Sequence, residues 1–373
     1  MIPRPRDLLL RGTGGRRRRA LPLQSRPRVS VVIPCYNYGA YLPQCVYSVS
    51  RNQPGIDLQI IIVDDASTDN SADVARQLAA EDDRITLIRH SRNAGHIATY
   101  NEGLAAATGD YVLLLSADDL ATPGALVRAA ALFEAEPSVG LVYGWSVHFS
   151  GAPPRPRTTP SSWIVWGGVD WLRERCRTGY NVVASPEVMM RNRVLREIGG
   201  YRTDLPHAGD FEMWLRTACV SGVGFLVGVD QAFYRKHPQN MHRKRFGAAT
   251  HRGQLVDLRQ RWQSFAVVFS GLGHNLPHRD DLLELARRTV RRQALDLVTY
   301  ATARGFKDFP LDEFLGFVRE LDGRSPRDAS AAAARYSTRL PTVLPLNPLW
   351  APWAVGWRFY AVLMRWRQRA LGI

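Results

Sequence analysis

Leu58-Gln-Ile-Ile-Ile-Val63-Asp64-Asp65 is a short apolar run, rich in β-branched residues, that ends abruptly in two carboxylates. Its length suits a strand rather than a helix, and its near-continuous apolarity suits a strand covered on both faces. The same pattern recurs outward in both directions. Val29-Ser-Val-Val-Ile33 precedes it and stops at Pro34, while Ile85-Thr-Leu-Ile88, Tyr111-Val-Leu-Leu-Leu115 and Val139-Gly-Leu-Val-Tyr143 follow. Between these runs, residues 40–51, 70–80, 96–107 and 123–135 carry helical patterns. Strands alternating with helices predict right-handed βαβ units and a parallel sheet with both faces covered.

In such a sheet, ligands sit beyond the carboxyl ends of the strands. Four polar clusters are expected on that edge: Pro34-Cys-Tyr-Asn37, Asp64-Asp65, Arg92-Asn93 and Ser116-Ala-Asp-Asp119. Asp64 and Asp65 can accept hydrogen bonds from a base or ribose, although Asp-Ala-Ser-Thr-Asp69 also reads as a helix start. Asp118 and Asp119 can hold a hard divalent cation whose shell is completed by diphosphate oxygens, or can simply precede a capped helix. Further on, Asp210 opens a helix with Phe211, Trp214 and Leu215 on its apolar face. Both a cap and a general base are open readings for it. Tyr234-Arg-Lys-His-Pro238 closes a strand, and its cations suit a nearby diphosphate.

The bulk properties set limits. The 373 residues suggest about two domains, and 45% hydrophobic content suits a globular chain. A net charge of +15 favours anionic partners, or reflects an arginine-rich composition. Cys35, Cys45, Cys176 and Cys219 fall in neither a C-x-x-C pair nor a zinc spacing, so they read as core residues of a reduced protein. Near the N-terminus, Leu8-Leu-Leu10 is too short for a signal-peptide core, and no stretch matches a membrane span. The Pro-rich segment 150–162 reads as an exposed loop. Arg-rich helical patterns occupy about 251–269, 279–304 and 311–321, and from Leu340 onward aromatic residues mix with arginine. That last composition suits either an interfacial membrane helix or a helix docked on the protein.

Taken together and in order, Val31-Val-Ile-Pro-Cys-Tyr-Asn37, Val63-Asp-Asp-Ala-Ser-Thr-Asp69, Arg92-Asn-Ala-Gly95, Ser116-Ala-Asp-Asp119 and Gly209-Asp-Phe-Glu-Met-Trp214 resemble the family 2 glycosyltransferases over about residues 28–241. The resemblance implies a GT-A fold of the α/β class: a mostly parallel central sheet flanked by helices, here with a helical C-terminal region. It implies a nucleotide-diphosphate sugar donor, with UDP or dTDP first in line, and inversion at the anomeric carbon. By position, Pro34, Tyr36, Asn37, Asp64, Asp65, Asn93, Ala117 and Asp118 would bind the donor. Asp118 and His237 would hold Mg²⁺ or Mn²⁺, and Asp210 would be the catalytic base. Ser116 stands where the family's first metal carboxylate is common, Gly209 where a Glu is common, and Tyr100 where an Arg is common.

The expected organisation is a flexible basic arm (1–27), a GT-A catalytic domain (28–245), a helical region (246–340) and an amphipathic segment (341–373). A cytoplasmic location is expected, with peripheral contact to an anionic membrane as an option. The acceptor is a glycan, a lipid-linked molecule or a small molecule, in keeping with bacterial surface polysaccharide synthesis. Residues 184–190 with Trp163 and Trp166 are a positional guess for the acceptor wall. Two other functions compete: a non-catalytic nucleotide-sugar-binding protein on the same fold, and a nucleic-acid-binding protein, for which no matching motif is present.

Overall fold

The structure, a computed structural model, describes residues 9–240, 250–304, 306–323 and 362–373. The decisive run is strand β3 (Asp57–Asp64). It lies between β2 (Arg28–Cys35) and β4 (Ile85–Arg89), and β2 also pairs with β5 (Tyr111–Leu114), all in parallel. The connecting helices are α1 (Leu42–Ser50), α2 (Ser71–Glu81) and α3 (His96–Ala106). Side chains alternate across this sheet, as a strand's period of two requires. Val31, Ile33, Ile60 and Ile62 face a core built with α1, α2 and α4 (Ala125–Ala135). Val32, Ile61, Val63 and Leu114 face the opposite core, against α3 and later helices. Because β2, β3 and β5 run in register, their carboxyl ends share one edge.

The parallel series is then interrupted. Strand β10 (Met189–Arg191) inserts antiparallel between β5 and β7 (Val139–Tyr143). Beyond β7 come β11 (Gly222–Val227, parallel), β9 (Ser162–Trp166) and β1 (Arg16–Arg18), the last two antiparallel to their neighbours. Three residues carry too little periodicity to announce a strand, and the sheet around β10 supplies its pairing. A second sheet joins β6 (Leu120–Ala121), β12 (Ala232–Arg235) and β8 (Ser146–Phe149). Since β6 follows Asp118-Asp119 directly, its antiparallel pairing with β12 draws the chain after Arg235 back over those aspartates.

Two expectations need correction. The segment 1–27 is not a flexible arm over its described part. Arg16–Arg18 pairs with Trp163–Val165 at the sheet edge, Arg17 donates to Ser162 Oγ at 2.7 Å, and Leu10 is buried. An unpaired edge exposes backbone donors and acceptors, and this strand covers them while the Arg18 guanidinium pairs with Glu136 at 3.0 Å. Trp163 and Trp166 are core residues of β9, on opposite faces of the sheet, and Met189 and Met190 are buried in β10. None of these four is a cleft residue.

All four cysteines are free, three of them buried. Helices α5 (Gly168–Thr178), α6 (Asn192–Ile198) and α7 (Gly209–Val220) cover the second face. The helical C-terminal region, α8 (His251–Ser270), α9 (Arg279–Arg304) and α10 (Leu311–Asp322), adds Phe265, Phe269, Val290 and Phe314 to the same core. Most of the aromatic and basic segment 341–373 lies outside the described residues. Its end is helical over 362–371 (α11) and docks on the body, with Leu371 and Ile373 fully buried. Arg367 pairs with Glu174 at 2.9 Å, and the Arg369 guanidinium lies 5.0 Å from the Trp145 ring. Among the described residues no helix is long and apolar enough to cross a membrane.

Candidate active site

The loop after β2 forms one wall of the cleft. Asn37 takes φ 59°, a left-handed conformation that asparagine tolerates, and its Oδ1 accepts from the backbone N–H of Thr68 (2.8 Å) and Asp69 (3.3 Å). Asn37 therefore ties the first loop to the second, while Tyr36 projects into solvent at 44% exposure. Pro34 lies beneath, its carbonyl accepting from Ala117 N–H, so that Pro34 and Ala117 are buried backbone floor.

The two strand-end aspartates behave differently. The Asp64 carboxylate is fully buried and its oxygens make no hydrogen bond, with Arg89 Nε at 3.7 Å, so it offers the cleft no surface. Asp65 organises the neighbouring loop. Its Oδ1 accepts from Ala94 N–H at 2.7 Å and its Oδ2 from Gly95 N–H at 3.0 Å, while His90 Nδ1 lies 2.7 Å from Oδ1. The other His90 nitrogen reaches Glu102 at 2.6 Å. Burial opposes a charged imidazole, but these two carboxylates outweigh it and hold His90 above its ordinary value. Asn93 is exposed and donates to Asp65 O. The sequence offered no reason to single out His90.

The second sheet completes the centre. His237 Nε2 and Asp118 Oδ2 are hydrogen-bonded at 2.9 Å, and Asn240 Nδ2 donates to the same Asp118 oxygen at 3.2 Å. Asn240 also accepts from His237 N–H at 2.7 Å, closing the turn that lays the histidine over the aspartate. Tyr38 and Tyr41 pack against the His237 ring. Asp119 points the other way, accepting from Arg235 N–H, and burial with Asp118 alongside drives its carboxyl well above the usual range.

Arg235, expected to face a diphosphate, is instead a brace. It is 8% exposed, donates to Asp118 O and Gln44 Oε1, and sits between the Tyr41 and Phe149 rings. Lys236 is the exposed cation of that strand end.

A separation of 2.9 Å matches the edge of an octahedron around an ion with bonds of about 2.1 Å. Asp118 and His237 thus fit as neighbouring ligands of Mg²⁺ or Mn²⁺, with other positions left to substrate oxygens and water. Among the described residues no group of three His, Cys, Asp or Glu side chains forms a fuller cage.

Asp210 lies in the first turn of α7 and is half-buried. Burial pushes its carboxyl up to about 6, against the opposing pull of Phe211 N–H, His207 and Asn181. Its Oδ1 accepts from Phe211 N–H at 2.7 Å and its Oδ2 from Asn181 Nδ2 at 3.1 Å. Tyr100 links the two halves, since its hydroxyl is raised by burial and by both the Asp118 and Asp210 carboxylates. The Asp118–His237 pair and a carboxylate of elevated pKa therefore both act on one tyrosine, Tyr100 of α3. A separate recess of about 390 Å³, lined by Ser138, Gly168, Arg193 and Ser221, opens beside the start of β7 and holds none of these residues.

This architecture is that of the GT-A transferases. S. aureus TarS 1-349 in complex with UDP-GlcNAc superposes with a TM-score of 0.57 at 16% identity, covering 82% of this chain and 83% of that one, which is a likeness of fold. The family model "Glycosyl transferase family 2" matches residues 30–199. Putative glycosyltransferase EpsE of Bacillus subtilis is 30% identical over 202 residues, covering 52% of this chain and 68% of that protein. The O-antigen biosynthesis protein RfbC of Myxococcus xanthus is 30% identical over 214 residues, covering 55% of this chain and 16% of RfbC. The chain belongs to glycosyl transferase family 2. It spans 16% to 68% of the length of such relatives.

Proposed function

We propose that this chain is an inverting glycosyltransferase that moves a sugar from a UDP- or dTDP-sugar to a hydroxyl of a glycan, lipid-linked or small-molecule acceptor, in bacterial surface polysaccharide synthesis. The single observation that carries this reading is that Tyr100 lies under the influence of both Asp210 and Asp118, the latter hydrogen-bonded to His237. Family membership supports the reaction class, and a relative named for O-antigen biosynthesis supports the product class.

In this mechanism the anomeric C–O bond to the diphosphate breaks as an acceptor oxygen bonds to the opposite face of the same carbon, which inverts it. Asp210 takes the acceptor's proton, and a carboxylate raised to about 6 is a stronger base than an ordinary one, yet still ionised at neutral pH. Asp118 and His237 would hold a divalent cation, which when bound would neutralise charge on the departing diphosphate. Exposed Tyr36, Asn37 and Asn93 offer a face and polar groups for the nucleoside. Asp65 acts one step behind, by fixing the backbone at Ala94 and Gly95.

Calorimetric titration with UDP, with and without Mn²⁺, tests this. Mn²⁺-dependent binding that vanishes in Asp118→Ala is expected. UDP, dTDP and GDP all failing to bind in either condition would reject the donor site. A peripheral membrane contact through the C-terminal segment is part of the same reading, supported by the mixture of aromatic residues and arginine from Leu340 onward. Sedimentation with anionic but not neutral vesicles is expected, and equal recovery with both refutes it.

A further inference from the structure

We propose that Asn181 is the positioning residue for Asp210, fixing the plane of the carboxylate and favouring its ionised form. This rests on reading Asp210 as the general base.

Asn181 sits in the loop between α5 and a 3₁₀ turn (Ser185–Glu187). Its Oδ1 accepts from Val183 N–H at 3.1 Å, which leaves Nδ2 facing outward to donate to Asp210 Oδ2 at 3.1 Å. With Phe211 N–H on Oδ1, each oxygen of Asp210 has one fixed partner and keeps a further lone pair for an acceptor hydroxyl. The loop itself is anchored on both sides by the C-terminal helices. Arg261 on α8 donates to Gly179 O, and Gln293 on α9 donates to Thr178 O at 2.8 Å. Gln368 on α11 donates to Val182 O at 2.8 Å. A loop that only sealed the core would need the anchors and not a half-buried carboxamide turned toward the cleft.

The ionisable groups around Asp210 are few. His207 lies on the preceding turn, with Asp257 of α8 at 3.2 Å from its Nε2, and the Tyr100 and Tyr201 hydroxyls come from α3 and the loop before α7. Asn181 is the neutral donor in this set. A hydrogen bond to the charged form lowers a carboxyl's pKa, so its removal raises Asp210 further.

The test follows the Asp210 carboxyl carbon by NMR titration of protein labelled at aspartate Cγ, the resonance assigned by its loss in Asp210→Asn. Asn181→Ala is expected to move the midpoint upward by about one pH unit. The near-isosteric Asn181→Asp should move it further, because a carboxylate both repels Asp210 and cannot donate when ionised. The acid limb of UDP-glucose or UDP-N-acetylglucosamine hydrolysis, with water as acceptor, should shift in parallel while UDP affinity stays unchanged. An unmoved midpoint in both variants overturns the proposal, whatever happens to the rate. Turnover that survives in Asp210→Asn would sink the general-base reading instead, and the Asn181 titration reads independently of it.

Discussion

Gln260 Oε1 accepts a hydrogen bond from the backbone N–H of Ala208 at 3.0 Å, two residues before Asp210. The same oxygen accepts from His207 N–H at 2.8 Å. Ala208 is the N-cap of α7 and Phe211 stands at its N3, so a residue of α8, about fifty positions later, accepts from the N-cap N–H that an N3 Glu or Gln would take in a capping box. Gln260→Leu should therefore cost about 1–2 kcal/mol of stability by chemical denaturation. It should also lower kcat more than nucleotide affinity, because it loosens the turn that aims Asp210. Equal losses in both would mean that Gln260 supports the fold alone.

The Asp210 carboxyl stands at about 6 in the folded chain against an ordinary 3.8. Between those values the unfolded chain has released a proton that the folded chain keeps, so stability falls as pH rises through the interval and the deficit is constant above it. Asp210→Asn removes the deficit. Its melting temperature should match wild type near about pH 4 and exceed it by a few degrees at about pH 8, while transfer is lost and UDP binding remains. A melting curve lowered at all pH values would instead make Asp210 a structural residue.

His90 carries the opposite sign. Its raised pKa means that its partnership with Asp65 and Glu102 contributes stability fully below its unfolded value and loses it as pH rises through the folded one. His90→Gln should therefore differ most from wild type near about pH 6 and converge with it in mildly alkaline buffer, read as thermal stability. UDP affinity should follow, since Asp65 holds the Ala94–Gly95 backbone. A gap independent of pH would refute a charged His90.

Asn240 braces the Asp118–His237 pair from both sides, its Oδ1 accepting from the His237 backbone N–H and its Nδ2 donating to Asp118 Oδ2. Partners of this kind commonly alter metal affinity by about 10–100-fold. Asn240→Ala is expected to weaken Mn²⁺ binding, measured by electron paramagnetic resonance in the presence of UDP, by about tenfold. Unchanged affinity would leave Asn240 a turn residue only.

Much of the site could be read from the chain because its groups follow strands directly. The runs ending at Pro34, Val63 and Leu115 place their successors at one sheet edge wherever the sheet is parallel. Asp210 announced itself at the start of an apolar-faced helix, and His237 beyond a strand. Asn181 and Gln260 left no comparable mark, as a lone amide in a loop or on an Arg-rich helix has no period and no neighbouring motif. Arg235 misled for the converse reason: a cation beside a histidine suggests a diphosphate, and only packing reveals that its guanidinium is enclosed by Tyr41 and Phe149.

Local pattern by itself determined the βαβ core, the edge that carries the candidate site and the family, because buried strands, helix periods and short motifs are properties of neighbouring residues. Tertiary structure alone decided which groups meet: Asp118 with His237 and Asn240, Asp65 with His90, and Asp210 with Asn181. It also decided that the arginines at 16–18 close a sheet edge and that α8, α9 and α11 brace the loop beside Asp210. Those outcomes depend on desolvation and on hydrogen bonds between segments far apart in the chain, and no window of sequence contains both partners.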